Sequence, residues 1–219
     1  MVSPNNKRFT FLHRWRTDDD GIYARLYTAS TNGGDLYLLN DSGRMSHYCW
    51  KNDDEVFGWG GVSNHINSLR KYKSIVKFLI KPLLPIYHKI AGSQPFVRNM
   101  VTNDSYLLFY DKSTKVKRID TAVLSKDGHP SFSSKRDYML LSDTYPNPDD
   151  NYKEELFLFN VNTNQMMCKL KLSHPKEFAD SSIRCDLHPK WSHDGEYVCV
   201  DTLDKGVRSV YVYQVCAEL

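Results

Sequence analysis

The sequence predicts an all-β chain folded as a β-propeller of about three and a half to four four-stranded blades, interrupted by one helical insertion. Three observations carry that expectation. A short unit recurs along the chain, each copy is followed by runs of β-forming residues, and the copies are evenly spaced once one segment is set aside.

The unit is most complete in Arg184-Cys185-Asp186-Leu187-His188-Pro189-Lys190-Trp191-Ser192-His193-Asp194-Gly195, followed by an alternating run that ends at Asp201. His188-Pro189-Lys190-Trp191-Ser192 matches His129-Pro130-Ser131-Phe132-Ser133, and both match His47-Tyr48-Cys49-Trp50. A fourth copy enters midway, with Ser3-Pro4-Asn5-Asn6 in the place of the Ser-x-Asp-Gly turn, then an apolar run and His13. The next run of each copy reads as a second strand: Phe9 to Leu12, Glu55 to Trp59, Tyr138 to Ser142 and Tyr197 to Val200. Third strands follow at Ala24 to Ser30, Tyr106 to Tyr110, Glu155 to Asn160 and Ser209 to Tyr213. Fourth strands are visible at Asp35 to Leu39, Val116 to Ile119 and Met166 to Leu172. Four short strands per unit, joined by Gly, Asn and Asp turns, is the pattern of a propeller blade.

Spacing locates the interruption. His129 and His188 are 59 residues apart and His47 and His129 are 82, with the excess between Val62 and Arg98. That segment, 62–98 within the second blade, contains seven Lys or Arg residues and no acidic one, which leaves the rest of a chain of net charge +3 at −4. Leu69, Tyr72, Ile75, Val76, Leu79 and Ile80 recur at helical spacing up to Pro82. The expectation is a basic amphipathic helix. It packs on the propeller's own flank or on absent blades with its lysines solvated, or the stretch 68–89 lies on an anionic membrane surface or covers a partner or an acidic glycan.

The ends differ from each other. The last unit stops at its third strand and the first lacks most of its inner strand, so residues 1–219 are expected to form a single partial propeller domain, the C-terminal part of a larger ring. Open blade edges and faces call for a protein partner or a second copy.

Composition sets limits on function. With 219 residues and 41% hydrophobic content the chain can bury one sizeable core. Its five cysteines are odd in number and never spaced as Cys-x-x-Cys, which excludes a disulfide framework or a zinc knuckle as the organising element. No apolar run reaches spanning length and the first residues hold no signal-peptide core, so a cytoplasmic location is the default expectation, the periplasm staying open if the chain is a fragment. There is no Gly-rich phosphate loop, no Gly-x-Ser-x-Gly elbow and no His-Glu-x-x-His helix. No nucleic-acid partner is expected.

Ser3-Pro4 with Lys7-Arg8 ahead of an apolar strand, Trp191-Ser192 with Asp194-Gly195, and His129 to Ser133 with Asp143-Thr144-Tyr145-Pro146 resemble the blade repeats of TolB-type propellers. Within that group the run is similar to the oligogalacturonate lyase-like branch, over most of the chain outside 62–98. The resemblance implies a divalent metal, typically manganese, held by histidines and a glutamine in the central channel. It also implies a basic side chain that removes the proton next to a uronic acid carboxylate. The sequence departs from that pattern at Asp127-Gly128-His129, where the family carries a tight pair of histidines, and no glutamine ligand can be placed.

Read on their own chemistry, the site residues fall into three groups. His47, His129 and His188 start the inner strands of three units, so three imidazoles point toward one axis. They hold a divalent ion, touch a ligand directly, or hydrogen-bond backbone and brace neighbouring blades. His13, Asp143 and Asp201 close the second strands, with Arg14 and Tyr145 beside them, in position for acid/base work, sugar hydroxyls or inter-blade bridging. Arg184 and Asp186 precede His188, and the planar fork of Arg184 suits a substrate carboxylate as well as a structural bridge to Asp201 or Asp143. Trp15 and Trp59 at strand ends offer a sugar-stacking face or belong to the core.

Two function classes follow. In the first, the channel binds a glycan or uronic-acid-containing oligosaccharide, with lyase-like β-elimination as the chemistry: Arg184, Asp186, His188, Asp143 and Asp201 carry the reaction and His13, Arg14, Trp15, Trp59 and Tyr145 bind substrate. In the second, the propeller is a non-catalytic scaffold for protein–protein interaction and its histidines are structural.

Overall fold

The computed structural model describes residues 1–16, 22–61, 104–119 and 124–215. The expected insertion at 62–98, including the basic stretch 68–89, lies outside the described residues. Four antiparallel sheets follow one another along the chain, with strands paired in sequence order within each. The first holds β1 (Arg8–Arg16), β2 (Ile22–Ser30) and β3 (Tyr37–Gly43). The second holds β4 (Met45–Trp50), β5 (Glu55–Gly61), β6 (Asp104–Tyr110) and β7 (Val116–Ile119). The third holds β8 (Ser131–Ser133), β9 (Arg136–Asp143), β10 (Glu154–Asn160) and β11 (Gln165–Leu172). The fourth holds β12 (Lys190–Trp191), β13 (Tyr197–Thr202) and β14 (Ser209–Gln214). Helical structure among the described residues is confined to one turn, α1 (Lys176–Ala179), and a 3-10 turn at Pro148–Asp150. This is a β-propeller of four blades, two of them three-stranded. No helix among the described residues is long and apolar enough to cross a membrane.

The Ser-x-Asp-Gly turn shows why the repeat makes a blade. In the last blade Ser192 Oγ donates to Asp194 Oδ1 at 2.5 Å, and the same carboxylate oxygen accepts the Glu196 amide at 2.9 Å. Gly195 takes φ +75°, a left-handed turn position that suits glycine. The hairpin is thereby set, and Trp191 pairs with Val198 across it.

Alternation along the strands sorts side chains between neighbouring blades. Leu26, Val56, Leu107 and Phe109 form one cluster between the first and second blades. Phe57, Tyr106 and Leu108, from the opposite face of the second blade, meet Leu140, Phe157 and Phe159 of the third. Met139, Leu141 and Leu158, from the other face of the third, meet Val198 and Val200 of the fourth. Each middle blade is therefore apolar on both faces. That is why their strands read as nearly continuous hydrophobic runs.

The short first strands gather at the centre, where β8 neighbours both β4 and β12. At the two ends of the array the blades are incomplete. Val2 bridges to Phe9, and Met1 O accepts from the Thr10 amide at 2.8 Å, so the first residues begin an inner strand beside β1. At the far end β14 is the outermost strand of the fourth sheet and exposes Val210 and Val212.

Candidate functional site at the channel mouth

Histidines at or just before the inner strands converge: His47 within β4, His129 two residues before β8 and His188 two before β12. The His47 and His129 ring centroids are 4.4 Å apart and those of His129 and His188 are 4.0 Å apart. Tyr145, two residues past the end of β9, lies 5.6 Å from the His129 ring and 6.2 Å from that of His47.

The backbone delivers these rings by close approach. Gly128 passes so near the Asp143 carbonyl that a Cβ there would overlap it, which is why Asp127-Gly128-His129 has a glycine at its middle. Asp143, 1% exposed at the end of β9, fastens the loop. Its Oδ1 accepts the His129 amide at 2.6 Å and its Oδ2 accepts the His188 amide at 3.1 Å. His188 sits at φ +42°, an uncommon value for a residue with a side chain, and that amide bond helps hold it there.

Each imidazole has an acceptor at Nδ1. Asp127 Oδ1 lies 3.0 Å from His47 Nδ1, Asp143 Oδ2 lies 2.9 Å from His129 Nδ1, and the Asp186 carbonyl oxygen lies 3.1 Å from His188 Nδ1. Carboxylates and carbonyls only accept, so the neutral form of each ring carries its proton on Nδ1 and its lone pair on Nε2. The Tyr145 hydroxyl lies 3.3 Å from His47 Nε2 and donates to it. Burial, then the charges of Asp127, Asp186 and Asp143, push the Tyr145 phenol upward, so it stays protonated. His129 and His188 have no such donor at Nε2 among the described residues.

Arg184 and Asp186 form a bidentate pair, with Nε 2.5 Å from Oδ1 and Nη2 3.0 Å from Oδ2. The guanidinium also lies over the Tyr145 ring, 4.7 Å from its centroid. The alternative bridges from Arg184 to Asp201 or Asp143 are not what forms. Asp201 instead faces Arg208, at 3.4 Å.

The remaining sequence-selected residues are spread over the fold. Arg14 donates to the carbonyls of Met45 and Ser46 at 3.1 and 3.3 Å, directly before His47. His13 and Trp15 lie on the first blade's free face, ring centroids 5.0 Å apart, with Arg25 over the indole at 5.0 Å. Trp59 is in the core, edge-on to Tyr106 at 5.0 Å. Two residues that sequence reasoning did not select belong to the site. Asp127 fixes His47 and also accepts from Ser46 Oγ at 2.7 Å. Glu154 is fully buried with neither carboxylate oxygen hydrogen-bonded among the described residues, and burial followed by the charges of Asp143 and Asp186 pushes its carboxyl up to about 8, against the pull of Arg184. An acidic residue at the start of a strand gives no sequence signal of burial.

The donor set accommodates a divalent cation. One ligand atom each from His129, His188 and Asp186 lie within 4.8 Å of one another. Two imidazoles and a carboxylate are a donor set for divalent transition-metal ions, and Nδ1–H bonds to carboxylate or carbonyl are the usual outer support of such ligands.

No protein-family model matches the chain, and no curated protein matches it. Solved propeller structures are similar in fold. TolB from Acinetobacter baumannii superposes with a TM-score of 0.55 at 12% identity, over 95% of this chain and 39% of that one. An acylaminoacyl peptidase from Pyrococcus horikoshii gives 0.56 at 8% identity, over 95% and 30%. The β-propeller domain of the Trilobed protease from Pyrococcus furiosus gives 0.51 at 7% identity, over 95% and 52%. The chain thus spans between about a third and a half of these structures, and the likeness is one of fold.

Proposed function

We propose that the channel mouth binds a uronic-acid-containing oligosaccharide and that its chemistry is lyase-like β-elimination. The observation that carries this reading is the imidazole cluster, with every Nδ1 anchored to an acceptor and the Nε2 lone pairs of His129 and His188 left for a ligand. A structural histidine needs one partner and any orientation that packs. Three adjacent rings, each anchored through Nδ1, instead match a site that presents lone pairs.

His129, His188 and Asp186 would hold a divalent manganese-class ion, which supplies charge that lowers the pKa of a proton next to a bound carboxylate. The chain's own residues have separate tasks. His47, with Asp127 behind it, is the base: once substrate draws the Tyr145 hydroxyl off its Nε2, that nitrogen takes the α-proton as the bond from the β-carbon to the glycosidic oxygen breaks. Tyr145, kept protonated, gives its hydroxyl proton to the leaving oxygen and takes back the one His47 has gained, across the contact the two already make. Arg184 lies beside the cluster with a fork that fits a uronate carboxylate.

The test is metal content of protein purified without a histidine tag, together with absorbance of the unsaturated uronate formed from galacturonate oligomers. Manganese bound by the wild-type chain and absent from His129→Ala, with a rise in absorbance that His47→Ala abolishes, is the expected result. Failure to bind either metal or uronate refutes the reading and leaves a protein-binding scaffold, for which the exposed β14 edge offers the surface.

A further inference from the structure

Asp186 has two roles in this geometry, and they compete. Its carboxylate offers one of the three ligand atoms grouped with His129 and His188, and both of its oxygens are taken by the Arg184 fork, at 2.5 and 3.0 Å. A carboxylate gripped by guanidinium at both oxygens has its charge neutralised and its favourable in-plane lone pairs directed at nitrogen. A divalent ion draws on the same charge and competes for the same lone pairs.

We propose that Arg184 is a built-in competitor for the metal position: a divalent cation binding to His129, His188 and Asp186 displaces the guanidinium, and the freed fork then receives a substrate carboxylate. This rests on the reading of the cluster as a cation site given above. Its content is an order of binding, cation before uronate, and a coupling between the two.

Three features of the structure support release over a fixed brace. Arg184 and Asp186 are only two residues apart, so their bond ties no distant parts of the fold together. Asp186 is held independently of Arg184, because its own carbonyl accepts from the His188 ring at 3.1 Å. The guanidinium has a second resting place, since it already lies over Tyr145 at 4.7 Å, and that contact persists when the carboxylate lets go. The ring beneath it also borders the imidazole cluster, so a released Arg184 stays at the site.

Competition and support predict opposite signs. If Arg184 competes, removing it strengthens the cation site; if it merely orients Asp186, removing it weakens the site. Mn²⁺ titration followed by calorimetry and by the free-ion paramagnetic resonance signal measures this directly, with no activity required. Arg184→Ala is expected to bind Mn²⁺ roughly 5-fold more tightly than wild type, the scale of a partly exposed ion pair. Asp186→Asn is expected to bind at least about 10-fold more weakly. Arg184→Lys keeps the charge without the fork and should fall between wild type and Arg184→Ala, which guards against a folding artefact in the alanine variant. A galacturonate titration of the wild-type chain should show weak binding alone and tighter binding with Mn²⁺ present. Unchanged or weakened Mn²⁺ binding in Arg184→Ala overturns the proposal while leaving the cation site standing. Absence of Mn²⁺ binding by the wild-type chain overturns both.

Discussion

Asp143 reaches His129 twice, accepting its backbone amide at Oδ1, 2.6 Å away, and standing 2.9 Å from its ring nitrogen through Oδ2. One buried carboxylate thus fixes both the loop and the ring it carries, and through Oδ2 it also takes the His188 amide. Asp143→Ala leaves two amide donors and an imidazole without acceptors in a closed site. The expected loss of stability in urea unfolding is roughly 2–4 kcal/mol, since each buried group left unsatisfied costs about 1–3 kcal/mol. A loss under about 1 kcal/mol would mean that water replaces the carboxylate and that Asp143 is not what positions the cluster.

Gly128 makes a sharper demand on the same loop. An added methyl group would overlap the Asp143 carbonyl oxygen, a backbone atom that cannot swing away. Gly128→Ala is expected to destabilise the fold by roughly 1–3 kcal/mol, the range for forced overpacking, and to weaken Mn²⁺ binding by displacing His129. Normal metal affinity in a stably folded Gly128→Ala protein would show that the loop has freedom the geometry denies it.

The fold was legible in the sequence because a blade is written in local chemistry. Ser-x-Asp-Gly specifies its own turn, and alternating β-formers specify which blade each side chain meets, so the copies at Trp191 and Phe132 read directly as inner strands. The site was legible in part. His47, His129 and His188 recur in three units, and Asp143 ends a second strand with Tyr145 beside it, so their positions alone bring them into view. Asp127 and Glu154 were not, because their roles depend on which loops close on one another. The Arg184 partner was open between distant aspartates, whereas the bond formed is to Asp186, two residues on. Sequence spacing does not tell which of several acceptors a long side chain takes.

Glu154 gives the protein a specific pH dependence. Its carboxyl is raised from an ordinary value of 4.5 to about 8. At pH values below its ordinary range both folded and unfolded chains carry the proton, and the group contributes nothing to the balance. Between about 4.5 and 8 the unfolded chain releases the proton while the folded chain keeps it, so stability falls as pH rises across that window. Glu154→Gln removes this slope. Urea midpoints measured from pH 5 to 8 should decline more steeply for wild type than for Glu154→Gln, with a difference on the order of 2–4 kcal/mol accumulated across the window. Parallel curves would place the carboxylate in contact with solvent or a hydrogen-bond donor.

The last prediction concerns the seam that brings the first blade to the site. Arg8, which begins β1, extends its fork across to the second blade: Nε lies 2.7 Å from Asp111 Oδ2 and Nη2 lies 3.1 Å from Asp111 Oδ1, with both side chains only 9% exposed. Thr28 donates to the same carboxylate at 2.5 Å. Arg8 also pairs with Asp35 at 2.7 Å, but that carboxylate is half exposed. Burial decides which partner matters. Removing Asp111 leaves a guanidinium charge inside the seam with part of its fork empty, whereas removing Asp35 leaves a group that water can reach. Asp111→Ala is therefore expected to cost roughly 3 kcal/mol and Asp35→Ala less than about 1 kcal/mol. The pair as a whole need not be stabilising, because two desolvated ions are costly to bring together. Replacing both partners, Arg8→Met with Asp111→Leu, should recover much of what Asp111→Ala alone loses. The same seam carries Arg14 to the carbonyls of Met45 and Ser46 beside His47, so Asp111→Ala should also loosen the support of the imidazole cluster and reduce Mn²⁺ affinity. Equal losses from Asp111→Ala and Asp35→Ala would show that the seam is wet and that Arg8 does not dock the first blade.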